Sequence, residues 1–391
     1  MKITELADTI YREAMQADPV SVLVLGGPGV GKTVLMKDVA ARVAKSLELN
    51  FKEYDDSLEF GKDDYVFIPL PLLEMEPPDL TGQMRENDGD GTTVYKPPRW
   101  VEVIGRCRGF VFIDDITNTR RDDVLSSSFK IVNEKMAGFR HFRRDTIVVA
   151  AGNRVEDNSI ARPLPKPIMA GKVWVLDLSP PPVKEWAAYT DSCAVDGKPV
   201  PWDRRCLGYL MCFESDMVAP PDDSNEMLNA VASPRSWTKL AQRLAGTLAG
   251  TPHDVVRQGA IGFLGPVVGE KFYAFIKHEI PNPKRMLENP ELFTGLEHDA
   301  KYLAVSSVAQ HVAEAAESPA KASTTLMKFA EVIARESSDL VVLLIMSIPK
   351  VMGEKPFRED VAVSLVGVNV EVASAIEGIL NAMPRRQKKG S

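Results

Sequence analysis

The chain has 391 residues, of which 45% are hydrophobic and 26% charged, and its formal net charge at pH 7 is −7. This length allows two or three domains with a substantial core, and the composition is typical of a globular protein. The acidic balance gives no overall signature of nucleic-acid binding, although it leaves a local basic patch open.

Cysteine usage and apolar runs indicate the compartment. The four cysteines form neither a CxxC pair nor a regularly spaced framework, so we expect reduced thiols. The first residues, MKITELADTI, place acidic side chains where a signal peptide needs an apolar core. The most apolar run, Leu340 to Ile348, has about half the length that spans a bilayer and is predicted to be a buried helix. We therefore expect a cytoplasmic protein with no membrane partner.

Residues 1–182 are predicted to form an α/β core with a parallel five-stranded sheet. Short, continuously apolar runs alternate here with helical patterns, which is typical of strands that helices bury on both faces. The predicted strands are Val20–Leu25, Tyr65–Leu70, Gly109–Ile113, Thr146–Ala151 and Lys172–Leu178.

A glycine-rich segment, GGPGVGKT at residues 26–33, follows the first predicted strand and precedes a helix with an apolar stripe. It is a complete GxxxxGK[ST] phosphate-loop pattern in the strand–loop–helix context that this pattern requires. Backbone N–H groups and the helix N-terminus would surround a phosphate, Lys32 would neutralise the β- and γ-phosphates of ATP, and Thr33 would offer its hydroxyl to Mg²⁺. The alternative is a glycine-rich turn without a ligand. The residues expected to bind the nucleotide are Gly27, Pro28, Gly29, Val30, Gly31, Lys32, Thr33 and Val34.

Polar residues at the ends of two later strands are candidates for the other catalytic roles. Asp114 and Asp115 follow the strand GFVFI. Beside a phosphate loop, Asp114 is expected to be the indirect metal ligand and Asp115 to position the attacking water. Asn153 ends the next strand and is expected to hydrogen-bond the γ-phosphate or that water. The alternatives are a turn capped by the two aspartates and an Asx-turn at Asn153.

The remainder of the chain is predicted to be mostly helical. Residues 183–225, rich in Pro, Asp, Cys and Trp, are predicted to connect the core to a helical lid at 226–300. Residues 301–391 are predicted to form a C-terminal helical region with a basic tail. Within the lid, Ser233 is the expected N-cap of a helix whose first residue is Pro234.

The order of these motifs resembles the AAA+ ATPases and, within them, the MoxR-type branch. The resemblance covers about residues 18 to 250 and is carried by GGPGVGKT, EPPDLTGQ, VFIDDIT, VVAAGNR, RPLPKPIMAGKVWVLDLSPP and SPRSW. It implies a homo-hexameric ring in which ATP lies between the core and the helical lid. It also implies a protein client and a partner that carries a von Willebrand factor A domain.

The resemblance further implies that Asn153 is the sensor of the core and that Arg235, in SPRSW, is the lid arginine that reaches the γ-phosphate. An arginine in the first helical turn is disfavoured by the helix dipole, which itself indicates an anionic partner. A surface arginine without a partner is the alternative.

Members of the family carry a hairpin before the second core helix, and Gly82–Trp100 matches it. Polar strands here flank Asp-Gly turns, which is a strong hairpin signal. The resemblance implies that the hairpin faces the central pore and contacts a substrate. A plain surface hairpin is the alternative.

Two features depart from the family pattern. Asp115 stands where members have Glu, and its carboxylate is one methylene shorter, so we expect slow hydrolysis. The stretch Leu164–Lys172 lacks the arginine that a neighbouring subunit would contribute. Lys172 is the expected substitute, as a point charge without the bidentate fork of arginine. Other candidates are Arg143, Arg144, Arg154 and Arg162.

The leading hypothesis is therefore a Mg²⁺-dependent ATPase ring that acts as a chaperone-like remodelling or assembly factor on a protein client. A nucleic-acid motor or loader would share every feature of the ATP site, but the acidic balance does not favour it. A nucleotide-dependent assembly protein that hardly turns over would fit the short Asp115 and the missing arginine.

Overall fold

A computed structural model describes residues 1–87, 91–156, 161–164, 172–218, 230–316, 318–352, 355–367 and 370–382. The chain divides into two compact units, and the first ends at Pro181. The basic tail predicted at residues 384–391 lies outside the described residues. The division into four regions at residues 182, 225 and 300 stays a prediction.

The first unit is built on a six-stranded parallel sheet with the order β10–β1–β9–β6–β3–β2. All five predicted strands are present, which confirms the α/β class. The sixth strand, β2, is not predicted because its residues NFKE are few and polar and lie at the sheet edge. The strands are β1 (Ser21–Leu25), β2 (Asn50–Glu53), β3 (Asp64–Pro71), β6 (Arg108–Asp114), β9 (Ile147–Gly152) and β10 (Val173–Asp177).

Helices cover both faces of this sheet. Successive strand residues point to opposite faces, so in β6 Phe110 and Phe112 pack with α1 and α2, whereas Val111 and Ile113 pack with α4 and α5. Full burial of each such side chain contributes about 1.5–3 kcal/mol. The two cores hold the carboxyl ends of the strands at one edge, where the phosphate loop lies. The helices are α1 (Ile3–Ala14), α2 (Lys32–Ser46), α3 (Pro77–Thr81), α4 (Arg99–Arg106) and α5 (Asp122–Glu134).

The hairpin predicted at Gly82–Trp100 is present. Its strands are β4 (Gln83–Glu86) and β5 (Thr93–Lys96), which pair antiparallel with Gln83 opposite Lys96. Residues 88–90, which include part of the predicted Asp-Gly turn, lie outside the described residues.

A second, shorter hairpin packs against the first. It consists of β7 (Met136–Ala137) and β8 (Arg140–His141), which follow α5. The ring of Phe139 in its turn meets the edge of Tyr95 with 5.6 Å between centroids. Gly138 has φ +56°, and a Cβ there would lie 2.5 Å from the carbonyl oxygen of Thr81, the last residue of α3, and 3.5 Å from the Tyr95 ring of the first hairpin. Glycine is therefore required where the two hairpins meet.

The second unit is mainly helical, with short hairpins at β11–β12 (Ala194–Val195, Lys198–Pro199) and β13–β14 (Val351–Met352, Lys355–Pro356). One hydrophobic core joins Trp186 and Leu207, from the predicted connecting segment, to Trp237 and Phe329. Its helices are α6 (Val183–Ser192), α7 (Arg205–Cys212), α8 (Pro234–Ala245), α9 (His253–Leu264), α10 (Pro266–Ile276), α11 (Pro283–Glu288), α12 (His298–Ala315), α13 (Pro319–Glu336), α14 (Ser338–Ser347), α15 (Arg358–Val366) and α16 (Val370–Ala382).

Two sequence expectations for this unit are confirmed. Helix α8 starts at Pro234, and the Ser233 hydroxyl accepts a hydrogen bond from the Ser236 N–H at 3.2 Å. The apolar run from Leu340 forms α14, in which all residues from Leu340 to Ser347 are buried. Across the described part of the chain, none of the helices combines the length and apolarity needed to cross a membrane.

A buried charge triad fastens three distant segments of the second unit. Asp191 at the end of α6 forms ion pairs with Arg204 at 2.8 Å and Arg358 at 2.7 Å. The Trp202 indole N–H donates to the same carboxylate at 3.0 Å, and the Arg204 guanidinium lies 3.7 Å from the centre of the Trp202 ring. Burial lowers the pKa of Arg204 to about 10, although Asp191 opposes this, so the guanidinium stays charged at neutral pH. The triad therefore depends on one carboxylate.

Candidate active site

The loop between β1 and α2 has the backbone that a phosphate cradle needs. Gly29 and Gly31 have φ values of +72° and +95°, and residues other than glycine rarely adopt such backbone angles. Gly31 is the N-cap of α2 and has no side chain to cap the helix, so the first N–H groups of α2 remain directed at the loop. Val30 is buried and Pro28 and Val34 are exposed. The loop is therefore fixed to the core by the buried Val30, while the N–H groups at the start of α2 face the loop, where they can bind a phosphate.

Lys32 points back into this loop. Its ammonium donates to the carbonyl oxygens of Gly26 at 2.7 Å and Gly27 at 3.0 Å, and to the Asn153 Oδ1 at 2.8 Å. Only 8% of the residue is exposed. The lysine and the strand-end amide that sequence reasoning assigned to the γ-phosphate are therefore in direct contact.

Thr33 and Asp114 also meet. The Thr33 hydroxyl, in the first turn of α2, donates to the Asp114 Oδ2 at 2.7 Å, and Asp114 is the last residue of β6. A hydroxyl and a carboxylate are hard oxygen donors of the kind that Mg²⁺ prefers. The pair fits the magnesium role that the sequence predicts for it.

Asp115 has an unusual backbone conformation. Its φ of +59° lies in the left-handed region, which aspartate tolerates better than most residues. Its N–H donates to the Asp114 Oδ1 at 3.0 Å, and its Oδ1 accepts from the Asn118 side-chain amide at 2.8 Å. The turn thus directs the two adjacent carboxylates to different partners.

Sequence reasoning missed two residues that hold this site together. Asn118 orients Asp115, as described above. The Thr117 hydroxyl accepts a hydrogen bond from the Asn153 N–H at 2.7 Å, and a Cβ on Gly152 would lie only 2.6 Å from Thr117. The available signal was the segment DDITN, in which two side chains with hydrogen-bonding groups follow the acidic pair at short spacing.

The arginines and the lysine that the sequence offers as further contacts to the γ-phosphate do not converge on the phosphate loop in the way that Lys32 and Asn153 do. Arg235 is exposed in the first turn of α8, in the second unit, and Lys172 is exposed just before β10. Arg154 pairs with Asp177 at 3.0 Å, and Arg162 pairs with Asp122 at 3.2 Å. Residues 165–171, in the stretch where relatives carry an arginine, lie outside the described residues.

Arg143 and Arg144 lie elsewhere. They precede β9, at the edge of the sheet where the strands begin, whereas Asn153 follows the same strand at the other edge. Within this chain they are therefore separated from the phosphate loop by the length of a strand.

Family comparison supports what the fold and site indicate. Residues 22–166 match the model of the AAA family, described as "ATPase family associated with various cellular activities". The match covers the phosphate loop and the strands that lead to Asp114 and Asn153, and the rest of the chain lies outside it. No curated protein matches the chain significantly.

Solved structures that resemble the chain are distant. NtrX from Brucella abortus in complex with ADP is 12% identical with a TM-score of 0.41, over 86% of this chain and 68% of that one. Cdc6p from Pyrobaculum aerophilum is 14% identical with a TM-score of 0.38, over 97% and 93%. A DNA polymerase III gamma subunit-related protein from Thermotoga maritima is 12% identical with a TM-score of 0.29, over 95% and 98%. Likeness this distant does not distinguish one function from another, and the MoxR-type branch stays a prediction.

Proposed function

We propose that the protein binds ATP with Mg²⁺ at the phosphate loop, hydrolyses it slowly, and uses the reaction to remodel or assemble a protein client. The observation that carries this proposal is the convergence of Lys32, Thr33, Asp114 and Asn153. These side chains come from α2, β6 and β9, yet hydrogen bonds join Lys32 to Asn153 and Thr33 to Asp114.

The first role of these residues is to bind phosphate. The Lys32 ammonium is held by neutral carbonyl oxygens, and phosphate oxygens would replace them with stronger, charge-assisted hydrogen bonds. Thr33 and Asp114 would hold the metal, which when bound neutralises negative charge on the transferring phosphoryl group. Neither role requires a rearrangement of the strands.

The second role is to position water. Asp115 is the candidate general base, and Asn118 holds its carboxylate in place. Asn153, fixed through its N–H by Thr117, is the candidate sensor of the γ-phosphate. Because Asp115 is one methylene shorter than Glu, we propose that turnover is slow.

We further propose a homo-hexameric ring of the MoxR type. Lys172 is exposed just before β10, so it is accessible to a neighbouring subunit as the substitute for the arginine finger. Arg235 is exposed in the first turn of α8, where the helix dipole favours an anionic partner. A partner with a von Willebrand factor A domain is proposed from the family resemblance alone. The cytoplasm is the proposed compartment, since all four cysteines are free.

The two packed hairpins are the proposed contact with the client. Met84 in β4 is 70% exposed, and Phe139 in the turn of the second hairpin is 75% exposed. Two large apolar side chains presented on adjoining hairpins offer a surface for an unfolded or extended protein segment.

The experiment places a photo-crosslinking amino acid at position 84 in Asp115→Asn protein, which should bind ATP and hydrolyse it least. Val267, which is 67% exposed in the second unit, is the matched control position. We expect an ATP-dependent protein adduct at position 84 only. The adduct protein, once purified, should stimulate phosphate release by the wild type and not by Lys32→Ala. Identical adducts at both positions, or a nucleic-acid adduct alone, would contradict the protein-client proposal.

A nucleic-acid-associated ATPase is the second candidate. The observation that favours it is a cluster of arginines at the edge of the sheet opposite the phosphate loop, since such a cluster can bind the phosphate groups of a nucleic acid.

A further inference from the structure

A cluster of basic side chains lies where the central strands begin. Arg108 is the first residue of β6, and Arg143 and Arg144 shortly precede β9, which pairs with β6. Asp114 ends the same strand that Arg108 begins, and six residues of parallel strand span about 20 Å. The basic cluster is therefore distinct from the ATP site.

These arginines line an open pocket of about 420 Å³ together with Ala17 and Asp145. Arg143 makes a bidentate pair with Asp145, with both N–O distances 2.9 Å. Arg108 approaches the same carboxylate at 3.5 Å. The atom that makes this approach is the buried Arg108 Nε, which forms an ion pair but no hydrogen bond within the part of the chain that the structure describes. One carboxylate thus serves two guanidinium groups and leaves hydrogen-bonding capacity unused.

The same excess of positive charge occurs at the rim of the pocket. Asp18 pairs with Arg144 at 3.0 Å and with Lys135 at 3.3 Å. A hydrogen bond from Arg144 lowers the pKa of Asp18, and a hydrogen bond from Arg143 lowers that of Asp145, so both carboxylates are ionised at neutral pH. Glu13 also acts on Lys135, so four cations face three anions when all three carboxylates are ionised. The pocket therefore remains positive in a chain whose net charge is −7.

The chemistry of the cluster matches phosphate. Three of its four cations are arginines, whose planar fork fits phosphate oxygens, and the Arg144 side chain is 82% exposed. The segment that supplies Arg143 and Arg144 begins with Phe139, Arg140 and His141, all of which are exposed. Proteins that bind single-stranded nucleic acids often interleave basic side chains, which contact the phosphate backbone, with exposed aromatic rings, on which the bases stack.

We propose that this pocket and the adjoining segment, residues 139–144, bind the phosphate backbone of a single-stranded nucleic acid. The arginine pocket lies at the edge of the sheet opposite the phosphate loop, so this proposal does not depend on the ATPase function. It shares only Phe139 with the surface proposed for the protein client. An acidic protein segment is the competing ligand, and it lacks bases that could stack on Phe139.

Fluorescence anisotropy with a labelled single-stranded oligonucleotide of mixed sequence, measured over a range of salt concentrations on the full chain, tests the proposal. We expect Arg144→Gln to weaken binding several-fold and to reduce the slope of log affinity against log salt by about 0.7, the value for one phosphate contact on a single strand. Arg144→Lys should recover part of the affinity. The matched control is Arg335→Gln, which removes an exposed arginine, 64% exposed and paired with Glu291 at 3.9 Å, from the second unit.

Two further variants make the outcome decisive. Phe139→Ala should weaken binding of the oligonucleotide, whereas Lys32→Ala should leave it unchanged. Absence of binding by the wild type at low salt would overturn the proposal, as would equal losses for Arg144→Gln and Arg335→Gln. A loss confined to Lys32→Ala would place the anion at the phosphate loop instead. Competition by polyglutamate as strong as competition by unlabelled oligonucleotide would identify an acidic protein as the ligand and would also overturn it.

Discussion

Replacement of Asp115 by Glu tests the proposed cause of slow turnover. The change adds the methylene that separates this chain from the family pattern, and it extends the carboxylate by about 1 Å toward the water that a general base must reach within 2.6–3.2 Å. We expect faster hydrolysis than in the wild type. Asp115→Asn, which keeps the shape and removes the base, should hydrolyse most slowly.

The magnitude follows from two opposing effects. A correctly placed general base contributes about 10²- to 10⁴-fold, so recovery of even part of this should raise kcat by about tenfold, or about 1.4 kcal/mol. Glu at a φ of +59° is less well tolerated than Asp, and the longer side chain loses the hydrogen bond from Asn118. Each of these costs about 1 kcal/mol. The backbone strain applies equally before and during the reaction, so it lowers the free energy of unfolding rather than kcat. Loss of the Asn118 hydrogen bond removes part of the positioning of the carboxylate, so it offsets part of the gain in kcat and keeps the net increase at about tenfold.

The assay is phosphate release at saturating ATP and Mg²⁺, with denaturant unfolding measured in parallel on the same variants. We expect Asp115→Glu to be faster and less stable than the wild type. Turnover equal to or below that of the wild type, in protein that is folded and binds ATP, would refute the idea that carboxylate reach limits hydrolysis. Wild-type turnover by Asp115→Asn would show that Asp115 is not the base.

Three other predictions concern the site and the second unit. Thr117→Val leaves the buried Asn153 N–H without its acceptor, so the free energy of unfolding should fall by about 1–3 kcal/mol. Phosphate release should slow, while ATP affinity measured by titration is retained. Unchanged turnover would exclude a role for this contact in hydrolysis. Asp114→Asn should raise the Mg²⁺ concentration needed for half-maximal turnover, and an unchanged Mg²⁺ titration would remove Asp114 from the metal site. Asp191→Ala leaves two buried guanidinium groups without their carboxylate and should lower the free energy of unfolding by about 3–5 kcal/mol. The control Glu314→Ala, at an exposed residue, should change it little. Equal losses of unfolding free energy in the two variants would show that the triad does not stabilise the unit.

Much of the α/β fold is predictable because its signals are local. Continuous apolar runs mark strands that are buried on both faces, and the glycine spacing of the phosphate loop requires a strand before it and a helix after it. The edge strand β2 lacks this signal, because half-exposed polar residues such as those of NFKE are equally compatible with a loop.

The supporting contacts of the site are harder to predict. Thr117 acts on Asn153 across two neighbouring strands, and which hydroxyl of the segment faces that strand depends on the turn at Asp115. A left-handed residue in this turn changes the direction of every following side chain. Sequence spacing alone does not reveal it.

Long-range charge clusters are the least accessible to sequence reasoning. Asp191 and Arg358 are far apart in the chain and meet only because α6 and α15 share one core. Arg108 joins Arg143 because β6 and β9 are neighbours in the sheet. The basic segment around Arg143 is visible in the sequence, but its pocket depends on topology.

The central claim is that the phosphate loop hydrolyses ATP with Mg²⁺. Its most direct test is phosphate release by purified wild-type protein and by Lys32→Ala, with and without Mg²⁺, after both are shown to be folded. We expect slow release by the wild type that stops when the metal is chelated, and none by Lys32→Ala. No release by the wild type under any condition, alone or with the crosslinked client or the oligonucleotide, would contradict the claim, as would equal release by Lys32→Ala.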